Sequence, residues 1–219
     1  RKLNFLAEHR FTILLSWDGL PEVQDYARPF PSGRGTYDII HKNAESMVAR
    51  CLQDDLEFAV RGIVTSQFPD FMPSVRFFQD MGFPAACISP VFSNETDGFF
   101  LDENTLPTFF KANKELIDLH IDSNLDGTPF NSMNLLLFMQ KVLLFSPQRH
   151  FCWAGLESVT VSPSGEYYPC FSWAGLDNNK YSMGHIDTGL DTEKRGNYLD
   201  EVGVDNLNHC ETCWSRNIC

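Results

Sequence analysis

Five cysteines in the C-terminal third of the chain are spaced for metal chemistry. Cys152 and Cys170 bracket Gly165 as Cys-x12-Gly-x4-Cys, and Cys210, Cys213 and Cys219 follow as Cys-x2-Cys-x5-Cys. Thiolates at short spacings are soft ligands that hold iron–sulfur clusters or zinc, and spacing alone does not choose between the two. A disulfide scaffold fits less well. The chain has seven cysteines in 219 residues, an odd count, and disulfide frameworks belong to small secreted domains. Cys51 continues the apolar stripe of Ile40, Ala44, Met47 and Val48, and Cys87 lies in the apolar run 85–88, so both read as buried core thiols. His185 and His209 lie near the cysteines without ligand spacing. Trp153, Trp173 and Trp214 each sit within three residues of a cysteine. Indoles there either keep water from a cluster or simply pack a small loop-rich domain.

A second group of residues follows the first strand-like segment. Ser16-Trp17-Asp18-Gly19-Leu20-Pro21, then Asp25 and Arg28, stands where the apolar run Phe11 to Ser16 meets turn residues. At the C-terminal end of a parallel strand, a hydroxyl and a nearby guanidinium could hold a polar ligand, the guanidinium by pairing with a carboxylate. The competing reading is a tight turn with a solvated arginine.

The elements that must position both groups alternate. Residues 1–10 read as the end of a helix, 11–16 as a strand, and a Pro- and Gly-rich loop runs to Gly35. Thr36 is the expected N-cap of a helix reaching about Leu52; a strand over 56–65, a helix over 70–81 ended by Gly82, and a strand over 85–92 follow. Two more helices are expected over 107–124 and 130–145. Strands alternating with amphipathic helices imply parallel βαβ units. The character changes near Ser146. A strand over 157–162, the turn Pro163-Ser164-Gly165 and a second strand into Tyr168 predict a hairpin with Cys152 before it and Cys170 at its end; from Asp177 the chain is polar, loop-rich and weakly helical. The expected domains are therefore 1–145 and 146–219.

Composition narrows the partners. With 17 basic against 29 acidic residues and a net charge of -12, the chain lacks the basic face that a phosphate-backbone binder needs, so nucleic acid is not an expected partner. The longest apolar stretch, 135–145, is interrupted by Gln140 and Lys141 and is too short to span a bilayer, so no membrane partner is expected.

Together these residues resemble the radical S-adenosylmethionine (SAM) enzymes with a C-terminal SPASM domain. Ser16 to Pro21 with Asp25 and Arg28 is similar to that family's S-x-D-G-x-P…D-x-x-R segment on the fourth barrel strand. The cysteine series is similar to the SPASM pattern, and Ser162 to Cys170, Ser182 to Ile186 and Cys213-Trp214 fit around it. The resemblance implies an α/β fold, the C-terminal part of a partial (β/α)6 radical SAM barrel followed by a small cysteine-rich SPASM domain. It implies that Ser16 and Arg28 contact SAM, near the ribose and at the methionyl carboxylate, with the strand end near 88–90 close to the adenine. Cys152 and Cys170 would ligate one auxiliary [4Fe–4S] cluster, and Cys210, Cys213 and Cys219 a second. No residue is singled out as catalytic.

The family's Cys-x3-Cys-x2-Cys loop and Gly-Gly-Glu segment have no counterpart, nor do its last two SPASM cysteines, so the expectation is a fragment that does not cleave SAM alone. Phe171 stands where sulfatase-maturating members carry an acid, and Phe171 to Gly175 looks more like thioether-forming peptide maturases. The expected parent is therefore an enzyme that cleaves SAM to a 5′-deoxyadenosyl radical and modifies a peptide or protein, by thioether crosslinking in the first reading. Formylglycine formation of the sulfatase-maturating type, or a non-catalytic zinc-binding module, are the alternatives. Oxygen-sensitive clusters imply a cytoplasmic setting.

Overall fold

The computed structural model describes residues 1–93, 96–144, 148–174 and 179–218. Two compact units divide the chain, Arg1–Leu137 and Phe138–Cys219. The expected boundary between residues 145 and 146 lies outside the described residues.

The first unit is built on four parallel strands, β1 (Ile13–Ser16), β2 (Phe58–Val64), β3 (Ala85–Pro90) and β4 (Asn131–Ser132), hydrogen-bonded in sequence order. Helices α3 (Tyr37–Gln53), α4 (Met72–Asp80) and α5 (Leu106–Leu125) make the crossovers. Strand order that never reverses, with a helix between successive strands, is the arrangement of a β/α barrel rather than of a doubly wound sheet. Side-chain alternation sorts each strand's two faces. Val60, Val64, Ala86 and Ile88 are buried in one core with Ala44, Met47, Val48 and Cys51 of α3, Val75 and Phe78 of α4, and Ala112 and Leu116 of α5. Trp17, fully buried, meets Phe77, Phe78 and Phe83 edge to face. Each large apolar side chain of this kind contributes roughly 1.5–3 kcal/mol on burial. The opposite parity, Leu14, Ser16, Arg61, Cys87 and Ser89, is exposed or half-buried. One face of the sheet is therefore sealed by helices and the other is open.

This corrects the reading of Cys87. Cys51 is buried as expected, but Cys87 is half-buried on the open face. The run 85–88 is apolar on both sides of the strand, so periodicity carried no signal about which way Cys87 faces. Ile88, placed near a ligand by the resemblance, turns into the helix-side core.

One helix escaped the sequence reading. α1 (Lys2–Glu8) is where expected, but α2 (Pro21–Ala27) occupies part of the expected loop. Pro21 at its first turn and Glu22 behind it are start signals, outweighed in the reading by the surrounding Pro and Gly. Thr36 does precede α3, but its side chain makes no capping bond. Asp25 does instead, Oδ1 accepting from the Thr36 and Tyr37 N–H groups at 2.7 and 2.8 Å.

The second unit is small-stranded. β5 (Thr160–Val161) and β6 (Tyr167–Tyr168) pair antiparallel around the predicted Pro163–Gly165 turn, shorter than the expected 157–162 strand. Gly165 adopts φ +90°, and a Cβ there would lie 2.5 Å from Nε2 of His185, so the motif glycine is required for both backbone and space. β7 (Gly184–His185) and β8 (Gly189–Leu190) form a second ribbon, followed by α7 (Thr192–Glu201). Asp191 caps α7 by accepting from Glu193 and Lys194 N–H. In chain order, α6 (Met133–Leu143) leads from β4 toward the second unit. Among the described residues no helix is long and apolar enough to cross a membrane.

Candidate ligand and metal sites

The first site lies at the C-terminal end of β1. Ser16 closes the strand with its side chain on the open face, and Trp17 turns back into the core. Asp18 is buried with its side chain fully enclosed. Its Oδ2 accepts from Arg28 Nε at 2.6 Å and its Oδ1 from Arg28 Nη2 at 3.3 Å; Oδ1 also accepts from the Ile63 N–H at 3.0 Å. The Asp18 N–H donates to Gln24 Oε1 at 3.0 Å, and Gln24 Nε2 donates to Thr36 Oγ1 at 2.9 Å. Thr36 Oγ1 in turn donates to the Arg28 carbonyl at 2.7 Å. This chain of bonds ties β1, β2, α2 and α3 around one carboxylate.

Its consequence is a held arginine. Arg28 spends its Nε/Nη2 edge on Asp18, yet 37% of its side chain remains accessible. The edge not spent on Asp18 carries further N–H donors, and a fixed fork is the geometry that bidentate carboxylate recognition uses. Gly19 makes the close approach possible. It sits at φ +123°, and a Cβ there would overlap the Ser74 side chain at the start of α4. The Asp of the motif thus orients the Arg, a role that the sequence could not assign because the pair is ten residues apart with a helix between.

The cysteines lie in the second unit. All six described cysteines are free thiols. Backbone bonds bring the segments around Cys152 and Cys170 together: the Gly155 N–H donates to Pro169 O at 3.1 Å, and the Ser162 N–H to Glu166 O at 2.9 Å. Arg195 of α7 reinforces the loop after Cys152, donating to the Gly155 and Leu156 carbonyls at 2.6 Å each. Both thiols lie near the buried Tyr198. Burial pushes the Tyr198 phenol above its ordinary range, a Trp173 hydrogen bond opposes this, and Cys152 and Cys170 add to the rise. The Trp173 ring centroid is 4.5 Å from that of Tyr181, whereas Trp153 and Trp214 are exposed, at 55% and 87%.

Cys210 and Cys213 share one turn, with the Cys213 N–H donating to Cys210 O at 3.3 Å. Ser215 lies with Oγ 3.3 Å from Cys213 Sγ. Its hydroxyl, and then its backbone N–H, hold the Cys213 thiol below its ordinary value, which favours the ligating thiolate. Cys219 lies outside the described residues. Among the described residues, no three His, Cys, Asp or Glu side chains gather closely enough to hold an ion. The donors present fit a sulfur-ligated group as two pairs, each supplying part of a ligand set. His185 is a structural clamp, with Nε2 2.8 Å from Ser164 O and Nδ1 3.2 Å from Asp187.

No family model matches the chain. It is similar to a cysteine-type anaerobic sulfatase-maturating enzyme of Clostridium novyi (strain NT), with 24% identity over 221 residues, covering 95% of this chain and 56% of that protein. Among solved structures, native anSMEcpe with bound AdoMet and Kp18Cys peptide superposes with a TM-score of 0.77 at 19% identity, over 99% of this chain and 60% of that one. Native anSMEcpe with bound AdoMet gives 0.76 at 20% identity, over 99% and 59%. The chain has the fold of the radical SAM enzymes with a SPASM domain. These relatives are sulfatase-maturating enzymes, and the chain spans a little over half of their length.

Proposed function

We propose that the protein is a radical SAM maturase that modifies a peptide or protein, of the sulfatase-maturating type. The observation that carries this is the coincidence of two independent sites on one fold: an arginine oriented for a carboxylate at a strand end, and sulfur donors on a glycine-tight hairpin. Both fall on motifs that resemble the same family, and the similar structures hold AdoMet, one of them together with the Kp18Cys peptide.

Bound SAM would supply hydrogen-atom abstraction, and iron–sulfur clusters would carry the electrons. Arg28, held by Asp18, receives the methionyl carboxylate on its free edge, and the Ser16 hydroxyl contacts the same ligand from the strand end. Cys152 and Cys170 hold one auxiliary cluster; Cys210 and Cys213, with Cys219, hold the other. Cys170 is half-buried beside the buried Pro169, while Cys152 is exposed, so the first pair reaches from the small core of this unit to its surface. The open face of the sheet gives the substrate room beside Ser16.

A second reading keeps thioether formation, on one observation. Position 171 is Phe, 70% exposed, and offers no carboxylate to take a proton from a substrate thiol. One experiment decides. The protein is expressed from its complete reading frame, reconstituted with iron and sulfide without oxygen, and reduced with SAM and a cysteine-containing synthetic peptide. Formation of 5′-deoxyadenosine with conversion of the peptide thiol to an aldehyde supports the proposal. Loss of hydrogen with an intact sulfur count supports crosslinking. A colourless preparation lacking labile sulfide overturns both.

A further inference from the structure

β2 reads Phe-Ala-Val-Arg-Gly-Ile-Val, an apolar run broken by one charge at Arg61. Central strands of parallel sheets are normally apolar throughout, so a guanidinium in one needs an explanation. Register and parity supply its surroundings. Phe58, Val60 and Val64 are buried, whereas Arg61 is exposed on the open face. It is the Cα partner of Ser16 on β1 and of Cys87 on β3, so the three form one transverse row at strand spacing, roughly 4.8 Å apart. Its neighbours along the same face are Ala59 and Ile63. None of these carries a negative charge. Among the described residues the Arg61 side chain has no ion-pair or hydrogen-bond partner, while Arg28, Arg50, Arg76, Arg149 and Arg216 each hold a carboxylate.

We propose that Arg61 is a specificity-determining residue that recognises a carboxylate of the peptide substrate, an Asp or Glu side chain near the residue being modified. The inference rests on the maturase reading above, since it takes Ser16 as a wall of the site. Arg61, level with Ser16 and on the same face, reaches whatever lies beside it. SAM carries a single carboxylate, and Arg28, pre-oriented by Asp18, already serves that group. The uncompensated charge on β2 is left for a second anion, and a planar fork suits a carboxylate. The chain's net charge of -12 repels acidic peptides at long range, so a preference for one must come from contact.

The test uses the complete protein, reconstituted without oxygen and saturated with SAM. Binding is followed by fluorescence anisotropy with labelled synthetic peptides that share a central cysteine and differ only by Glu or Gln at each flanking position in turn. The wild type binds the Glu peptide about tenfold more tightly than its Gln counterpart at one position at least, the size of a charge-assisted hydrogen bond. Arg61→Gln removes that preference while affinity for the Gln peptides and for SAM stays within about twofold. Arg61→Lys retains iron content and part of the preference, which guards against a variant that merely misfolds. A wild type with no Glu preference overturns the proposal, as does a preference that survives in Arg61→Gln. Weakened SAM binding in Arg61→Gln also overturns it, by moving Arg61 to the cofactor. A wild type that binds neither SAM nor any cysteine peptide instead overturns the maturase reading, a distinct result.

Discussion

Asp18 is a buried carboxylate that links stability to the proposed ligand site. Its side chain is sealed from solvent and satisfied by Arg28 and the Ile63 N–H. Removing it strands both donors, although Arg28 recovers part of its hydration because it is partly accessible. Asp18→Ala should therefore cost about 1–3 kcal/mol, read as a lower urea midpoint at unchanged slope. It should also weaken SAM binding in the reconstituted protein, because Arg28 loses its orientation. A variant of wild-type stability would show that the pair is only a surface contact. Gly19 makes a sharper case. Gly19→Ala meets both a backbone conformation that side chains rarely adopt and the Ser74 side chain. A loss above about 2 kcal/mol is expected. Gly19→Ala with Ser74→Gly should recover only the steric part, and full recovery would show that φ costs nothing.

At the scale of elements, the alternating strands and helices of the first unit were legible because each buries one periodic face. α3, β2, α4 and α5 lie within a few residues of their expected limits. What the sequence hid was capping and facing. Asp25, not Thr36, closes α3, because the capping carboxylate comes from a preceding helix rather than from the adjacent position. Cys87 was misplaced because an apolar run has no alternation to read. The motif cysteines were plain in number and spacing, whereas the Gly155–Pro169 bond and the Arg195 clamp that draw two of them together depend on partners far apart in the chain. The turn into α5 offers a pH test. The Thr105 hydroxyl, the Asn104 amide and their N–H groups hold the Asp102 carboxyl below its ordinary value. A depressed folded value means the contribution is present above the unfolded carboxylate range and is lost as pH falls through the folded one. Asp102→Asn should lower the melting temperature at neutral pH, with the difference from wild type shrinking toward acid. A gap that stays constant down to strongly acidic pH would assign the effect to shape rather than charge.

At the scale of the whole molecule, the two units differ in what holds them together. The first has a continuous apolar core spanning its strands and crossover helices. In the second, the described buried apolar side chains are Tyr168, Pro169, Met183, Tyr198 and Val204, and its strands are two residues long. So small a core does not offset the conformational entropy of ordering the chain, and domains in that position rely on cross-links or metal. The described cysteines are free thiols and form no cross-link here. If the cysteines hold the proposed clusters, metal binding to sulfur is folding free energy for this unit, as it is for small metal-dependent domains generally. Removing metal with a chelator from the complete protein should collapse hydrogen-exchange protection across residues 148–218 while the first unit's strands β1 to β3 keep theirs. Cys170→Ala should do the same, with a clear loss of bound iron, since Cys170 ends the hairpin that Gly165 closes. Equal protection of the second unit with and without metal would show that its loops stand by their own packing, and the cysteines would lose the structural role argued for them.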